Sequence, residues 1–318
     1  MAYLSYNLSE TIISNLSAIE ELRKQILLIP LSPRNKLKIR WETNISRVYW
    51  GLTLLDNPLT RKDIAKLLSA SPKRKLNNFE KDVLSQNRTF SYIRENWLVS
   101  KSLVTIPVLR KLYDLACKET LGRQGSFTQI SEKAMTEVLE YLAEGGDHPI
   151  IQAGIAQAQT TNIALFDNGN GRISRLVDYL YLYKYGYDFR GFLILDEFFR
   201  KDPVSYRRAQ ETTIGSKNQS LWLEYFTGGI ALQLQKALTD IKNQKFQADL
   251  PSSFWNINER QKQILNSLEQ PGARVTNKNV QKLFGVSQIT ASRDLAKLTT
   301  LGLLFSHGKG RSVYYTKV

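Results

Sequence analysis

Cysteine occurs once in 318 residues, as Cys117, and histidine twice, as His148 and His307. One thiol cannot form an intramolecular disulfide or a thiolate cluster, and two imidazoles leave little for a metal site, so no metal is expected. Proline is scarce, at nine residues, and no apolar run reaches the roughly 18–20 residues of a membrane helix. The opening Met1-Ala2-Tyr3-Leu4-Ser5-Tyr6 lacks the basic-then-apolar order of a secretory leader. These absences exclude a disulfide scaffold and a proline-rich disordered chain. They lead to the expectation of a soluble, cytoplasmic protein with no membrane partner. What is present, 42% hydrophobic and 10% aromatic residues, suffices for buried cores in two or three domains.

Acidic residues are also in deficit. Asp and Glu total 29 against 44 Lys and Arg, a net charge of +15, and such an excess attracts polyanions, nucleic acid foremost. From Ser253 onward there are ten basic residues and three acidic ones, so about a fifth of the chain carries nearly half the excess.

The pattern divides into an N-terminal helical region (1–103), a helical core with its extension (104–245) and a small basic domain (246–318). Ile13, Leu16, Ile19, Leu22, Ile26 and Leu27 recur at helical spacing up to Pro30, and Thr60 caps a helix through Ile64 and Leu67. Further helices are expected at 79–97, 106–117, 132–143, 149–162 and 221–241, with no competing strand alternation. Residues 242–255, with Pro251-Ser252-Ser253, read as a linker.

The tail predicts helix, helix–turn–helix and a two-strand wing. Asn258 opens the first helix, Thr276 the second, and Gly285-Val286-Ser287 turns into a third with Ser287 as N-cap. That third helix is expected to turn Ile289, Ala291, Leu295 and Leu298 inward. Its other face carries Gln288, Thr290, Ser292, Arg293 and Lys297, the hydrogen-bonding types that base-edge reading needs. Lys309 and Arg311, in the turn Gly308-Lys309-Gly310-Arg311, are placed to meet phosphate or the minor groove. Double-stranded DNA is therefore the expected partner, and paired half-sites imply a homodimer.

In the middle of the chain, Gly169-Asn170-Gly171 is a glycine-rich turn followed at once by a helical segment. Such a turn aims successive amide N–H groups and the helix dipole at one point, making an anion nest. Arg172 and Arg175, one turn apart, are positioned to fork onto phosphates.

Phe166, Gly169, Asn170, Gly171, Arg172 and Arg175 match in register the signature H-x-F-x-(D/E)-G-N-G-R-x-x-R, and the chain resembles the Fic family. His148-Pro149-Ile150-Ile151-Gln152-Ala153 resembles the helix before that motif, and Asn57-Pro58-Leu59-Thr60 the end of the inhibitory segment of self-regulating relatives. The tail resembles Fic proteins with a C-terminal winged helix. The resemblance implies an all-α Fic body. In the family, AMP passes from ATP to a protein hydroxyl. A histidine serves as general base, an acidic residue holds magnesium, and the turn and arginines bind the triphosphate.

The departures from the signature fall on the catalytic positions. Ala164 stands where the base belongs and cannot accept a proton; Asn168 stands at the acidic position and brings no charge, with Asp167 one residue earlier. Gln157, Thr160 and Leu165 replace the usual His, Phe and Pro. Leu55 and Asp56 replace the inhibitory Glu and the Gly that follows it, and residues 120–131 leave little room for the target-clamping hairpin. No catalytic residue is retained, and loss of the base alone removes about 10²–10⁴-fold of rate. Several independent losses favour a natural pseudoenzyme. The alternative is a Fic adenylyltransferase with alanine put in place of its histidine.

The expectation is thus a DNA-binding transcriptional regulator on a degenerate Fic body. Its turn still has groups able to hold a nucleotide, ATP with magnesium in the family, or another anion. Cys117 reads as a core residue, His148 as a helix cap and His307 as a solvent or DNA-backbone contact. The alternating Tyr179 to Tyr187 read as packing, and Tyr206 with Arg207 and Arg208 as an addition to the basic pocket.

Overall fold

The computed structural model describes residues 4–69, 74–122, 127–214, 218–243, 256–270, 272–308 and 312–317. The residues expected to form the linker lie almost wholly outside these, as do Lys309, Gly310 and Arg311. The chain divides into two compact units. One comprises Met1–Pro30, Thr43–Leu67 and Ser71–Lys245; the other comprises Leu31–Glu42, Leu68–Ala70 and Phe246–Val318.

Among the described residues the regular elements of the larger unit are helices: α1 (Glu10–Leu28), the second half of α2 (Pro33–Thr53), α3 (Arg61–Ser69), α4 (Asn78–Trp97), α5 (Ile106–Ala116), α6 (Lys118–Leu121), α7 (Gln129–Glu144), α8 (Pro149–Ile163), α9 (Asn170–Lys184), α10 (Leu195–Lys201), α11 (Pro203–Glu211) and α12 (Ser220–Lys242). Short polar side chains start them. Ser9, Asn77, Thr128 and Asp202 each accept an amide N–H from the first turn of α1, α4, α7 and α11 respectively. Residues 1–103 and 104–245 interleave: α1 packs along α12, and α4 packs on α5 and α9.

Helices α8 and α9 form the centre. Every residue of α8 from Ile150 to Thr160 is buried, and so is every residue of α9 from Arg172 to Tyr183. Such all-round burial is why neither segment shows a clean polar face in the sequence. Gly154 lets α12 approach α8: a Cβ there would meet Leu223 Cδ2 at 2.8 Å and Phe226 Cδ1 at 2.9 Å. The Trp222 indole fixes that approach by donating to the Gly154 carbonyl at 2.8 Å. On α1, the buried stripe is Ile12, Ile19, Leu22 and Ile26, whereas Ile13 and Leu27 from the expected set are exposed.

The smaller unit contains α13 (Glu259–Asn266), β1 (Val275–Thr276), α14 (Asn277–Phe284), α15 (Gln288–Thr300), β2 (Leu304–His307) and β3 (Tyr314–Lys317). Its core is Ile264, Leu268, Val275, Val280, Ala291, Leu295, Leu298 and Leu304. The expected wing is present as the antiparallel pair β2–β3, but the sheet has a third strand, in the order β1-β3-β2. Val275 pairs with Tyr315 and Thr276 with Tyr314. Two residues are too few to show alternation, so β1 was not legible in the sequence.

Candidate functional site

The signature residues occupy the loop between α8 and α9. Ala164 ends α8 in the left-handed region (φ 48°, ψ 57°) and Gly169 starts α9 with φ 75°. The loop is closed by one side chain: Asn170 Oδ1 accepts from the Phe166 amide at 2.9 Å, while its Nδ2 donates to the Phe166 carbonyl at 2.6 Å. Phe166 is buried and stacks on Tyr113 of α5, with ring centroids 4.6 Å apart. The Tyr113 hydroxyl donates to Asn168 Oδ1 at 2.8 Å. A Cβ on Gly169 would lie 3.1 Å from Cys117 Sγ and 3.2 Å from Leu121, so α5 and α6 press directly on the turn. Cys117 is fully buried, as expected of a core residue, and burial pushes its thiol up to about 11.

The two signature arginines pair with carboxylates on different helices. Arg172 is 5% exposed; its Nη1 donates to Asp82 Oδ1 at 2.8 Å and to the Ala116 carbonyl at 2.6 Å. Arg175 points into the core, with Nε 3.0 Å from Asp196 Oδ1. Burial raises the Asp196 carboxyl, and Arg175 opposes that rise. Asp178, also wholly buried, is pushed well up by burial and then by Asp196. In this structure internal carboxylates on α4 and α10 engage both guanidinium groups.

Around the turn, Ala164, Asp167, Asn168 and Gly171 are exposed. Ala164, Asn168 and Gly171 offer no side-chain group that could serve as a general base. Among the described residues no three His, Cys, Asp or Glu side chains converge as a metal site. His148 serves as the N-cap of α8: its Nδ1 accepts from the Ile150 amide at 3.2 Å. Burial lowers its pKa, which suits that accepting role. Gln157, where relatives carry histidine, donates to the buried Tyr206 hydroxyl at 3.1 Å. Arg207 and Arg208 are exposed.

The second cluster lies on α15. Gly285 (φ 61°) ends α14, and Ser287 caps α15 by accepting from the Thr290 amide. Gln288, Ser292 and Arg293 are exposed, whereas Thr290 and Lys297 are half-buried. The Thr290 hydroxyl lies 3.0 Å from Ser287 Oγ, and Lys297 Nζ donates to the Asn256 carbonyl at 2.6 Å. Ser292 receives a hydrogen bond from Asn277 Nδ2 at 2.7 Å. Ile289, expected inward, is 64% exposed. Ser287 starts the helix such that Ala291, Leu295 and Leu298 take the core positions, and residue 289 falls on the opposite side of the cylinder.

Asp294 holds α15 to α13. Its Oδ2 accepts from Arg260 Nε at 2.5 Å and its Oδ1 from Gln261 Nε2 at 2.7 Å. His307 is tied within the wing, with Nε2 2.9 Å from Thr316 Oγ1 and its ring stacked on Tyr314.

Residues 260–316 match the family model described as a DeoR-like helix-turn-helix domain. No curated protein matches the chain at a significant level. Among solved structures, the chain is similar to a Fic family protein from Desulfovibrio desulfuricans G20, with a TM-score of 0.63 at 15% identity, covering 98% of this chain and 97% of that one. It is also similar to a fragment of Fic-1 from C. elegans (TM-score 0.60, 17% identity, 74% of each chain). A Fic domain containing signaling protein from Bacteroides thetaiotaomicron gives a TM-score of 0.54 at 16% identity, over 74% of this chain and 98% of that one. The fold is thus an all-α Fic body followed by a winged helix-turn-helix. No helix among the described residues is long and apolar enough to cross a membrane.

Proposed function

We propose that this protein is a DNA-binding transcriptional regulator whose Fic-fold body performs no AMP transfer. One observation carries the reading. The third helix of a DeoR-like helix-turn-helix presents Gln288, Ser292 and Arg293 to solvent, in a tail with ten basic residues against three acidic ones. Exposed hydrogen-bonding side chains near the start of such a helix are what major-groove reading requires, and the surrounding charge supplies the phosphate affinity. Lys309 and Arg311, which lie in the sequence between β2 and β3, belong to this reading as backbone contacts.

The body acts as a platform, and a homodimer would present two reading helices to paired half-sites. The position of the base is filled by Ala164, and Arg172 and Arg175 are each paired with a buried or half-buried carboxylate. These features support a non-catalytic body, whose turn Gly169-Asn170-Gly171 is where a nucleotide or another anion would be held. The alternative, AMP transfer by a protein in which Ala164 stands for histidine, would need both ion pairs to open.

The test is selection from a pool of random duplexes by the full chain at about 0.15 M salt, followed by footprinting. The expected result is a sequence preference with two related half-sites. Binding that is wholly sequence-independent at that salt would overturn the reading.

A further inference from the structure

The exposed stripe of α15 consists of Gln288, Ile289, Ser292, Arg293 and Ala296. Four of these are polar or small. Ile289 is neither: a β-branched apolar side chain, 64% exposed, in the first turn of the helix. Its neighbours are fixed. The Thr290 hydroxyl is turned to Ser287, Asn277 Nδ2 bonds both the Gln288 carbonyl and Ser292 Oγ, and Asp294 is held by Arg260 and Gln261. Helix α15 therefore cannot roll to bury Ile289 without breaking those bonds.

Resting on the DNA-binding reading, we infer that Ile289 is a specificity residue that packs against the C5-methyl group of a thymine in the major groove. Thymine is the base that offers an apolar group there, and apolar side chains near the N-terminus of a reading helix are suited to it. Arg293 lies one turn further along the same face. Four residues advance about 6 Å along the helix axis, and stacked base pairs are about 3.4 Å apart. Arg293 thus reaches a base one or two steps from that thymine, and its planar fork matches the O6 and N7 acceptors of guanine. The chemical class of the operator is set accordingly: each half-site contains a thymine and a guanine within two base pairs of each other. The positive charge of the tail commits the occupant of this apolar spot to a duplex rather than to a protein groove.

The experiment uses the full chain and the duplex recovered by selection from random sequence. Each thymine is replaced singly by deoxyuridine, which removes the methyl group and leaves base pairing intact. At one thymine per half-site the replacement is expected to weaken binding about fourfold, the ratio given by the ~0.8 kcal/mol of one buried carbon. Ile289→Ala, which removes the contact from both half-sites, is expected to lose about the square of that factor, roughly sixteenfold, on the thymine duplex and to be indifferent to the uracil replacement. Because Ile289 is exposed and Ala is the stronger helix former, the variant retains the fold, and a thermal melt verifies that.

Methyl dependence that persists unchanged in Ile289→Ala overturns the inference while leaving DNA binding intact. So does the lack of any methyl-dependent position. If Ile289 instead faces another copy of the chain, the uracil series is silent and Ile289→Ala changes the sedimentation behaviour. Failure to recover any preferred sequence removes the parent reading, and this one with it.

Discussion

Arg175 on α9 and Asp196 on α10 form an ion pair 3.0 Å long in which the two side chains are only 9% and 2% exposed. In the family signature the arginine at this position is a phosphate ligand; here it is bonded inside the molecule. Taking one member from a buried pair strands the other charge, a cost of about 3–5 kcal/mol. Arg175→Ala is therefore expected to lower the unfolding free energy, measured by urea titration, by that much. Replacing both partners with apolar residues, Arg175→Met with Asp196→Leu, should recover most of the loss. A phosphate ligand facing solvent would give a near-neutral Arg175→Ala and no rescue.

Restoring the imidazole should not restore chemistry. Ala164→His supplies a base, and histidine tolerates the left-handed backbone found there better than most residues. Arg172 and Arg175 nevertheless stay with Asp82 and Asp196, and Asn168 stays with Tyr113. Incubation of Ala164→His with radiolabelled ATP, magnesium and a cell lysate is expected to leave all proteins unlabelled. Strong labelling would establish the transferase reading.

Acid should loosen the start of α4. Glu80 and Asn77 cap that helix reciprocally, Glu80 N to Asn77 Oδ1 at 2.9 Å and Asn77 N to Glu80 Oε2 at 3.1 Å. The Arg74 guanidinium, followed by the Asn77 amide, holds the Glu80 carboxyl down at about 2, against the ordinary 4.5. A carboxyl depressed on folding contributes stability that is complete above about pH 4.5 and disappears as pH falls toward 2. Urea midpoints measured across that interval should fall less steeply for Glu80→Gln than for the wild type.

The basic residues of the tail should separate by role. Arg293→Ala, which removes a base contact, is expected to weaken binding to the selected duplex by about 1–3 kcal/mol and to relax preference at one position. Lys309→Ala should weaken all sequences about equally and reduce the slope of log K against log salt by about one. Anisotropy titrations at several salt concentrations distinguish the two patterns.

Much of this architecture could be read from the sequence because local signals and burial agree. Ser9, Asn77, Thr276 and Ser287 are strong caps, and each starts a helix. The glycine turn and the winged tail were also legible, since their residues must take special backbone geometries at fixed spacing. The destinations of the long polar side chains were not. Arg172 and Arg175 sit in the signature register, but their partners, Asp82 and Asp196, lie 90 and 21 positions away in the chain, and no local pattern announces such contacts. Ile289 was misplaced for the converse reason. An isoleucine in a short helix reads as core, and only the helix phase set by the Ser287 cap puts it outside.

The clasp between Asp294 and the pair Arg260 and Gln261 has a thermodynamic consequence. On the proposed DNA-binding reading, α15 is oriented before any duplex arrives and contributes no coupled folding to association. Complex formation then resembles the docking of a rigid body, with a heat-capacity change set by the apolar area covered at the interface rather than by new secondary structure. The same clasp neutralises the one carboxylate of α15, so that the helix meets the phosphate backbone without a repulsive charge of its own.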